Sequence, residues 1–184
     1  MGKFNKRKVS KYIAYLLRHD PSGLNMNKNG YVKTEELLKK LKERWPSILL
    51  EDLKKIDAKD RKGRYELNND KIRALYGHSV QDVEIKLPRA EPNILYHGTT
   101  EKSAVKIINE GLKSKGRNKV HLSPNPEEAQ KVGKRRANHP VILKIDAGKA
   151  RKNGHVFRKA NKFVYLSEDI PPSYITIFNN QENV

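Results

Sequence analysis

One stretch near the start constrains the fold most. Val9, Tyr12, Ile13, Leu16 and Leu17 recur at i, i+3, i+4, i+7 and i+8, a single apolar helical face. That face runs directly into Arg18-His19, and Asp20-Pro21 follows. A residue before proline is driven out of the helical region, so a helix from Lys6 to Leu17 must end near Arg18–Asp20. A guanidinium and an imidazole are therefore fixed to the end of a buried helix. Two readings fit them: cations complementing the helix macrodipole, by roughly 0.3–1 kcal/mol, or an anion site.

The rest of the chain bears on that choice. Lys and Arg number 39 and Asp and Glu 21, a net charge of +18 over 184 residues. Residues 1–88 hold 21 basic and 12 acidic residues, and residues 89–184 hold 18 and 9. The excess is spread over both halves rather than carried on a tail. It favours a polyanionic partner, nucleic acid above all. The absence of cysteine excludes disulfides, thiolate-held zinc and a thiol nucleophile. No apolar run reaches the ~20 residues of a membrane span, and no signal-peptide pattern opens the chain. A cytoplasmic enzyme or binding protein is expected.

Local signals give two successions of elements. In the first half, Gly30–Val32 reads as extended, and Thr34 caps a helix whose inner face is Leu37, Leu38, Leu41 and Trp45. Ser47–Ile56 is a third helix, with Leu49, Leu50, Leu53 and Ile56 inward. Arg64–Leu67 and Ile72–Tyr76 flank Asn68–Lys71 as a hairpin. Helix, strand, helix, helix, hairpin is the order of a winged helix, a frequent nucleic-acid module. Val83, Ile85 and Leu87 alternate as a strand, and Pro88–Pro92 reads as the boundary.

In the second half, Ile94–Thr100 is a strand delivering His97 onto a glycine turn. Thr100 caps a helix that Gly111 closes, and Val120–Ser123 is a strand bearing His121. A helix from Glu127 carries Ala129, Val132 and Ala137. Val141–Ile145, Gly154–Arg158, Phe163–Leu166 and Tyr174–Phe178 are further strands. Short strands with two helices imply an α+β domain. The expected organisation is therefore α+β in two domains, 1–88 and 89–184.

No Walker A loop, dinucleotide glycine motif or His-Glu-x-x-His is present, so no metal site is expected. Phosphate handling would fall to Arg, Lys, His and loop amides. Taken singly, His97 and His121 could equally be satisfied, half-buried histidines, and Arg64 a solvated strand-edge charge.

Seven segments taken together carry more. They are Ser10-Lys11 with Leu17-Arg18-His19 and Gly23-Leu24; Gly30-Tyr31-Val32; and Arg64-Tyr65-Glu66-Leu67. Then come Gly77-His78-Ser79; Leu95-Tyr96-His97-Gly98-Thr99; Arg117 with Val120-His121-Leu122-Ser123; and Val164-Tyr165-Leu166 before Ile170-Pro171. In that order they resemble the tRNA-splicing type of RNA 2′-phosphotransferase, over nearly the whole chain. The resemblance implies an N-terminal winged-helix lobe presenting an RNA phosphate and a C-terminal lobe of the ADP-ribosyltransferase fold holding NAD. It implies Arg18, His19, Arg64 and Arg117 as the catalytic set. His97, Gly98, Thr99, His121 and Ser123 would bind NAD, Gly98 by letting the backbone approach it closely. It further implies an RNA bearing a 2′-phosphate, in all expectation tRNA, as partner, and a monomer without metal. Val164 stands where many protein-modifying relatives of that fold carry a glutamate. Two other functions stay open: an ADP-ribosyltransferase acting on terminal phosphates, and a non-catalytic basic winged-helix protein.

Overall fold

The computed structural model describes residues 4–179; residues 1–3 and 180–184, the outer ends of the two expected domains, lie outside the described residues. The chain forms two compact units, Met1–Lys86 and Leu87–Val184. Both mix helices with small antiparallel sheets.

The first unit runs α1 (Lys6–Arg18), β1 (Val32–Lys33), α2 (Thr34–Lys42), α3 (Leu50–Ala58), β2 (Tyr65–Asn68) and β3 (Lys71–Ala74). The Asn5 carboxamide opens α1 by accepting from the Arg7 and Lys8 amides at 3.0 and 3.2 Å, which satisfies two otherwise orphaned donors. Val9, Ile13, Leu16 and Leu17 are buried on the expected face. They join Leu37, Leu41, Ile48, Leu53 and Ile72 in one core. The sheet order is β1-β3-β2, and Tyr65 pairs with Ala74 across the hairpin.

Three details depart from the sequence expectation. Thr34 is not a cap: it is the first residue of α2, and its hydroxyl donates to the Asp70 carbonyl, tying the helix to the hairpin turn. The third helix starts at Leu50 rather than Ser47, where the Asp52 carboxylate accepts from the Leu49 amide at 3.1 Å. Leu49 and Leu50 are consequently exposed, and Ile48, in the preceding turn, takes the core position. Residues 83–88 form no strand, because alternation alone does not supply a ladder partner. The segment is tied instead by a backbone bond from the Glu84 amide to the Lys28 carbonyl at 2.8 Å.

The second unit runs β4 (Arg89–Ala90), β5 (Ile94–Thr99), α4 (Glu101–Glu110), β6 (Val120–Leu122), α5 (Pro126–Gly133), β7 (Val141–Asp146), α6 (Ala147–Lys152), β8 (Phe157–Lys159), β9 (Tyr165–Ser167) and β10 (Ile175–Ile177). Sheets ordered β10-β7-β5 and β4-β8-β9-β6 meet where Tyr96 bridges to Ser123. Leu95, Leu143, Ile145, Phe157 and Ile170 centre the core. Thr100 caps α4 as expected, accepting from the Ser103 amide, and Gly111 ends it at φ +87°.

Among the described residues this unit has three α-helices, not two. The unexpected α6 opens on Asp146, whose carboxylate accepts from the Lys149 amide at 2.8 Å, and Lys149, Arg151 and Lys152 fill its last turn. Those are ordinary start and stop signals, compressed into six residues. The α5 helix stops at Gly133, so Ala137 falls beyond it, and Val132 is exposed.

Candidate active site

In the first unit, α1 ends by presenting Arg18 and His19. The Arg18 guanidinium carbon lies 4.7 Å from the centroid of the Tyr76 ring. Its Nε and Nη2 are buried with no hydrogen-bond partner among the described residues. Those two nitrogens form the side-on fork of a guanidinium, the edge that matches two oxygens of a phosphate. Burial lowers the Arg18 pKa from its ordinary value; the nearby Tyr76 and Tyr65 oppose the shift, and the charge of Arg64 adds to it. Next along the chain, Gly77 adopts φ +91°, a conformation costly for any other residue. A side chain there would meet Arg18 at 3.4 Å. The His19 ring accepts or donates at Nδ1 with the Ser79 hydroxyl, 2.9 Å away.

Arg64 stands just before β2, and its partner is Asp60 in the preceding charged turn. Its Nε and Nη2 donate to one carboxylate oxygen at 2.9 and 2.7 Å, and its amide donates to the other at 2.5 Å. Burial would raise the Asp60 pKa, but these bonds and the guanidinium charge outweigh it, so the carboxylate is held below its ordinary range. The Asp60 side chain is only 3% exposed. Replacing Asp60 with alanine strands a half-buried cation and unties the turn. We expect a loss of about 2 kcal/mol in urea unfolding; an unchanged midpoint would mean that Asp60 does not hold Arg64.

His78 lies between Gly77 and Ser79 in sequence and is buried. Burial, with the charges of Arg18, His19 and Arg73, lowers its pKa to about 4. In the unfolded chain it titrates near 6.5. The folded pKa is the lower one, so the stabilisation is present above pH 6.5 and is lost as pH falls towards 4. The loss is about 3 kcal/mol over that window. Urea midpoints of the wild type and His78→Gln at pH 7 and 4.5 check this: the acid-induced drop should be smaller in the variant.

In the second unit, a cleft of about 320 Å³ is lined by His97, Gly98, Thr99, Arg117 and His121, among others. Five residues that the sequence pointed to thus share one cavity. The His97 Nδ1–H donates to the His121 carbonyl at 3.0 Å, and the His121 Nδ1–H donates to the Lys119 carbonyl at 3.0 Å. Burial pushes the His97 pKa below its ordinary value. A neutral His97 with Nδ1 protonated offers Nε2 as a hydrogen-bond acceptor. The wall also carries Lys113, Lys115, Arg135 and Arg136. The acidic residue on that wall, Glu110, is paired with Lys106 at 3.6 Å. The cleft is therefore a strongly basic pocket with an imidazole acceptor, suited to a phosphate-bearing ligand.

Two of the expected residues have structural parts of their own. Ser123 is buried and is not among the residues lining the cleft; its backbone makes paired bonds with Tyr96 at 2.8 and 2.9 Å that lock β6 to β5. Gly98 lines the cleft, yet a Cβ on it would lie 1.9 Å from the Ala129 carbonyl oxygen. Glycine is required there for close packing of α5 on β5. Tyr76, Asp60 and Arg136 were not singled out from the sequence. Asp60 had a signal, an Asp four residues before Arg64 in a turn; the others are brought in by tertiary structure. Among the described residues, no group of three or more His, Asp or Glu could hold a metal ion, and no helix is long and apolar enough to cross a membrane.

A guanidinium fork beside an imidazole in one unit, and a basic histidine cleft in the other, are the equipment of a protein that handles phosphates. Comparison with known proteins sharpens the class. Residues 5–169 match the RNA 2′-phosphotransferase, Tpt1 / KptA family. The chain is 43% identical over 173 residues to a probable RNA 2′-phosphotransferase 1 of Archaeoglobus fulgidus, covering 91% of this chain and 79% of that one. It is 40% identical over 184 residues to a probable RNA 2′-phosphotransferase of Bacillus thuringiensis, covering 96% and 100%. A third, from Acetivibrio thermocellus, is 42% identical over 172 residues, covering 91% and 94%. The chain belongs to the RNA 2′-phosphotransferase, Tpt1 / KptA family.

Proposed function

We propose that this protein removes an internal 2′-phosphate from RNA by passing it to NAD⁺. The products are an RNA 2′-hydroxyl, nicotinamide and ADP-ribose 1″,2″-cyclic phosphate. Family membership supports the RNA substrate. The observation that carries the reading is the Arg18 fork: its Nε and Nη2 are buried with no acceptor among the described residues, which is costly unless an anion supplies one. A phosphate dianion brought against that edge supplies them.

The chemistry follows from the groups available. In the first step a 2′-phosphate oxygen attacks the anomeric carbon of the nicotinamide ribose, and the bond to nicotinamide breaks. The phosphate is already anionic, so no base is needed, in keeping with Val164 in place of a glutamate. In the second step the ribose O2″ hydroxyl attacks phosphorus and gives up its proton, and the RNA 2′-oxygen leaves and takes a proton up. Arg18 and Arg64 hold the phosphate oxygens and spread the developing charge. His19 faces the same phosphate as hydrogen-bond or proton donor.

The second unit binds NAD⁺ in the cleft. Its basic wall, Arg117 included, suits the diphosphate, and neutral His97 accepts from a ribose or amide donor. The first unit acts as a winged-helix module and the second as an ADP-ribosyltransferase-type lobe. On this reading the RNA is a tRNA carrying a splice-junction phosphate, and a monomeric enzyme works in the cytoplasm without a metal.

Nicotinamide release tests the reading. It is expected with an internally 2′-phosphorylated RNA and not with the same RNA bearing only a 5′-phosphate. Release of nicotinamide with the 5′-phosphorylated RNA alone would turn the assignment to transfer onto terminal phosphates.

A further inference from the structure

We propose that Ser79 is the positioning residue of His19: its hydroxyl holds Nδ1 and thereby points Nε2 at the phosphate. This rests on the reading of His19 as a group that faces the RNA 2′-phosphate. It adds a residue to which that reading gave no part.

The backbone at His19 is fixed by its amide, which donates to the Tyr15 carbonyl at 2.8 Å. Its ring is not fixed by the backbone, because χ1 and the broad, two-fold χ2 remain. The ring lies on an exposed residue, tilted against Tyr15 with centroids 6.3 Å apart. A two-fold ring flip would exchange Nδ1 and Cδ2 and displace Nε2. A partner on Nδ1 is what makes one orientation preferred.

Ser79 provides that partner from 60 residues away. Two bonds to successive residues distinguish it from a chance surface neighbour. Its amide donates to the Arg18 carbonyl at 2.9 Å, and its Oγ meets His19 Nδ1 at 2.9 Å. The positive φ of Gly77 turns the chain towards this position, against the Arg18 side chain. Buried His78 anchors the turn from within. One short segment thus lines Arg18 with Tyr76 and Gly77 and grips His19 with Ser79.

A hydroxyl suits the task because it can rotate between donor and acceptor. When His19 is neutral with its proton on Nε2, Ser79 donates to Nδ1. When His19 is an imidazolium, Nδ1–H donates to Ser79. If the imidazolium gives its Nε2 proton to the departing 2′-oxygen, Nδ1–H still donates to Ser79. The ring keeps one orientation through each state, which a carbonyl or an amide N–H in that place would not permit.

The test combines ring spectroscopy with kinetics. In protein labelled with ¹⁵N-histidine, the His19 resonances are identified by their loss in His19→Gln. Ser79→Ala is expected to move the His19 Nδ1 resonance and alter the tautomer balance. It should lower kcat/KM for a 2′-phosphorylated RNA about tenfold, a part of what a general acid contributes. Ser79→Thr, which keeps the hydroxyl, is expected to restore the resonance and to recover kcat/KM to within about threefold of wild type. The proposal is overturned if Ser79→Ala leaves the Nδ1 resonance in place. It is equally overturned if Ser79→Thr is as slow as Ser79→Ala. A wild-type enzyme without NAD-dependent turnover would sink the functional reading instead, while the resonance would still report whether Ser79 holds the ring.

Discussion

Arg18→Lys is expected to lower NAD-dependent phosphate transfer by about 100-fold or more, with the fold intact. The substitution keeps the positive charge and removes the fork. In the wild type, Nε and Nη2 share one edge of a planar group that lies against Tyr76. A lysine ammonium is a point charge on a flexible stem and cannot bind two phosphate oxygens in a fixed geometry. Stability should change little, because the Arg18 Nε and Nη2 are already buried without a partner among the described residues and burial lowers its pKa. The check is kcat/KM for a 2′-phosphorylated RNA beside a thermal melt followed by circular dichroism. Near-wild-type turnover in Arg18→Lys would mean that charge alone, not bidentate geometry, acts at this position.

Gly98→Ala is expected to act on the fold first. The added Cβ would sit 1.9 Å from the Ala129 carbonyl oxygen and 2.8 Å from its carbon, backbone atoms that cannot swing aside. Gly133 in the same helix as Ala129 is also confined, since a Cβ there would lie 2.5 Å from Pro140. Relief requires α5 to move off β5, at a cost of about 3 kcal/mol. That corresponds to a fall of ~10 °C or more in the melting of a unit this size. Gly116→Ala is the control: its Cβ meets nothing within 4 Å, and only its φ of +62° opposes the change, about 1 kcal/mol. If Gly98→Ala melts like the wild type and only weakens NAD⁺ binding, the glycine serves the ligand and not the packing.

Much of this architecture was legible in the chain because it is written locally. Periodicity marked the buried face of α1, Asp-Pro marked its end, and Thr100 and Gly111 framed α4. The hairpin was announced by Asn68–Lys71. What the sequence misjudged depends on partners distant along the chain. Thr34 has the chemistry of a cap, yet Asp70 claims its hydroxyl. Val83, Ile85 and Leu87 alternate like a strand, but a strand exists only where another is available to pair with it. Among the site residues, Arg18, His19, Arg64, His97 and His121 stand out by type and placement. The roles of Ser123 and Gly98 could not be read that way, because what a small residue does depends on what is packed against it. The same holds for Ser79, whose bond to His19 closes over 60 residues.

The most direct measurement follows the phosphate itself. A short RNA labelled at one internal 2′-phosphate is incubated with the protein, with and without NAD⁺. The label is expected to appear in a cyclic ADP-ribose phosphate, only when NAD⁺ is present, leaving an unlabelled RNA 2′-hydroxyl. Label released as inorganic phosphate, or transferred equally well without NAD⁺, would contradict it.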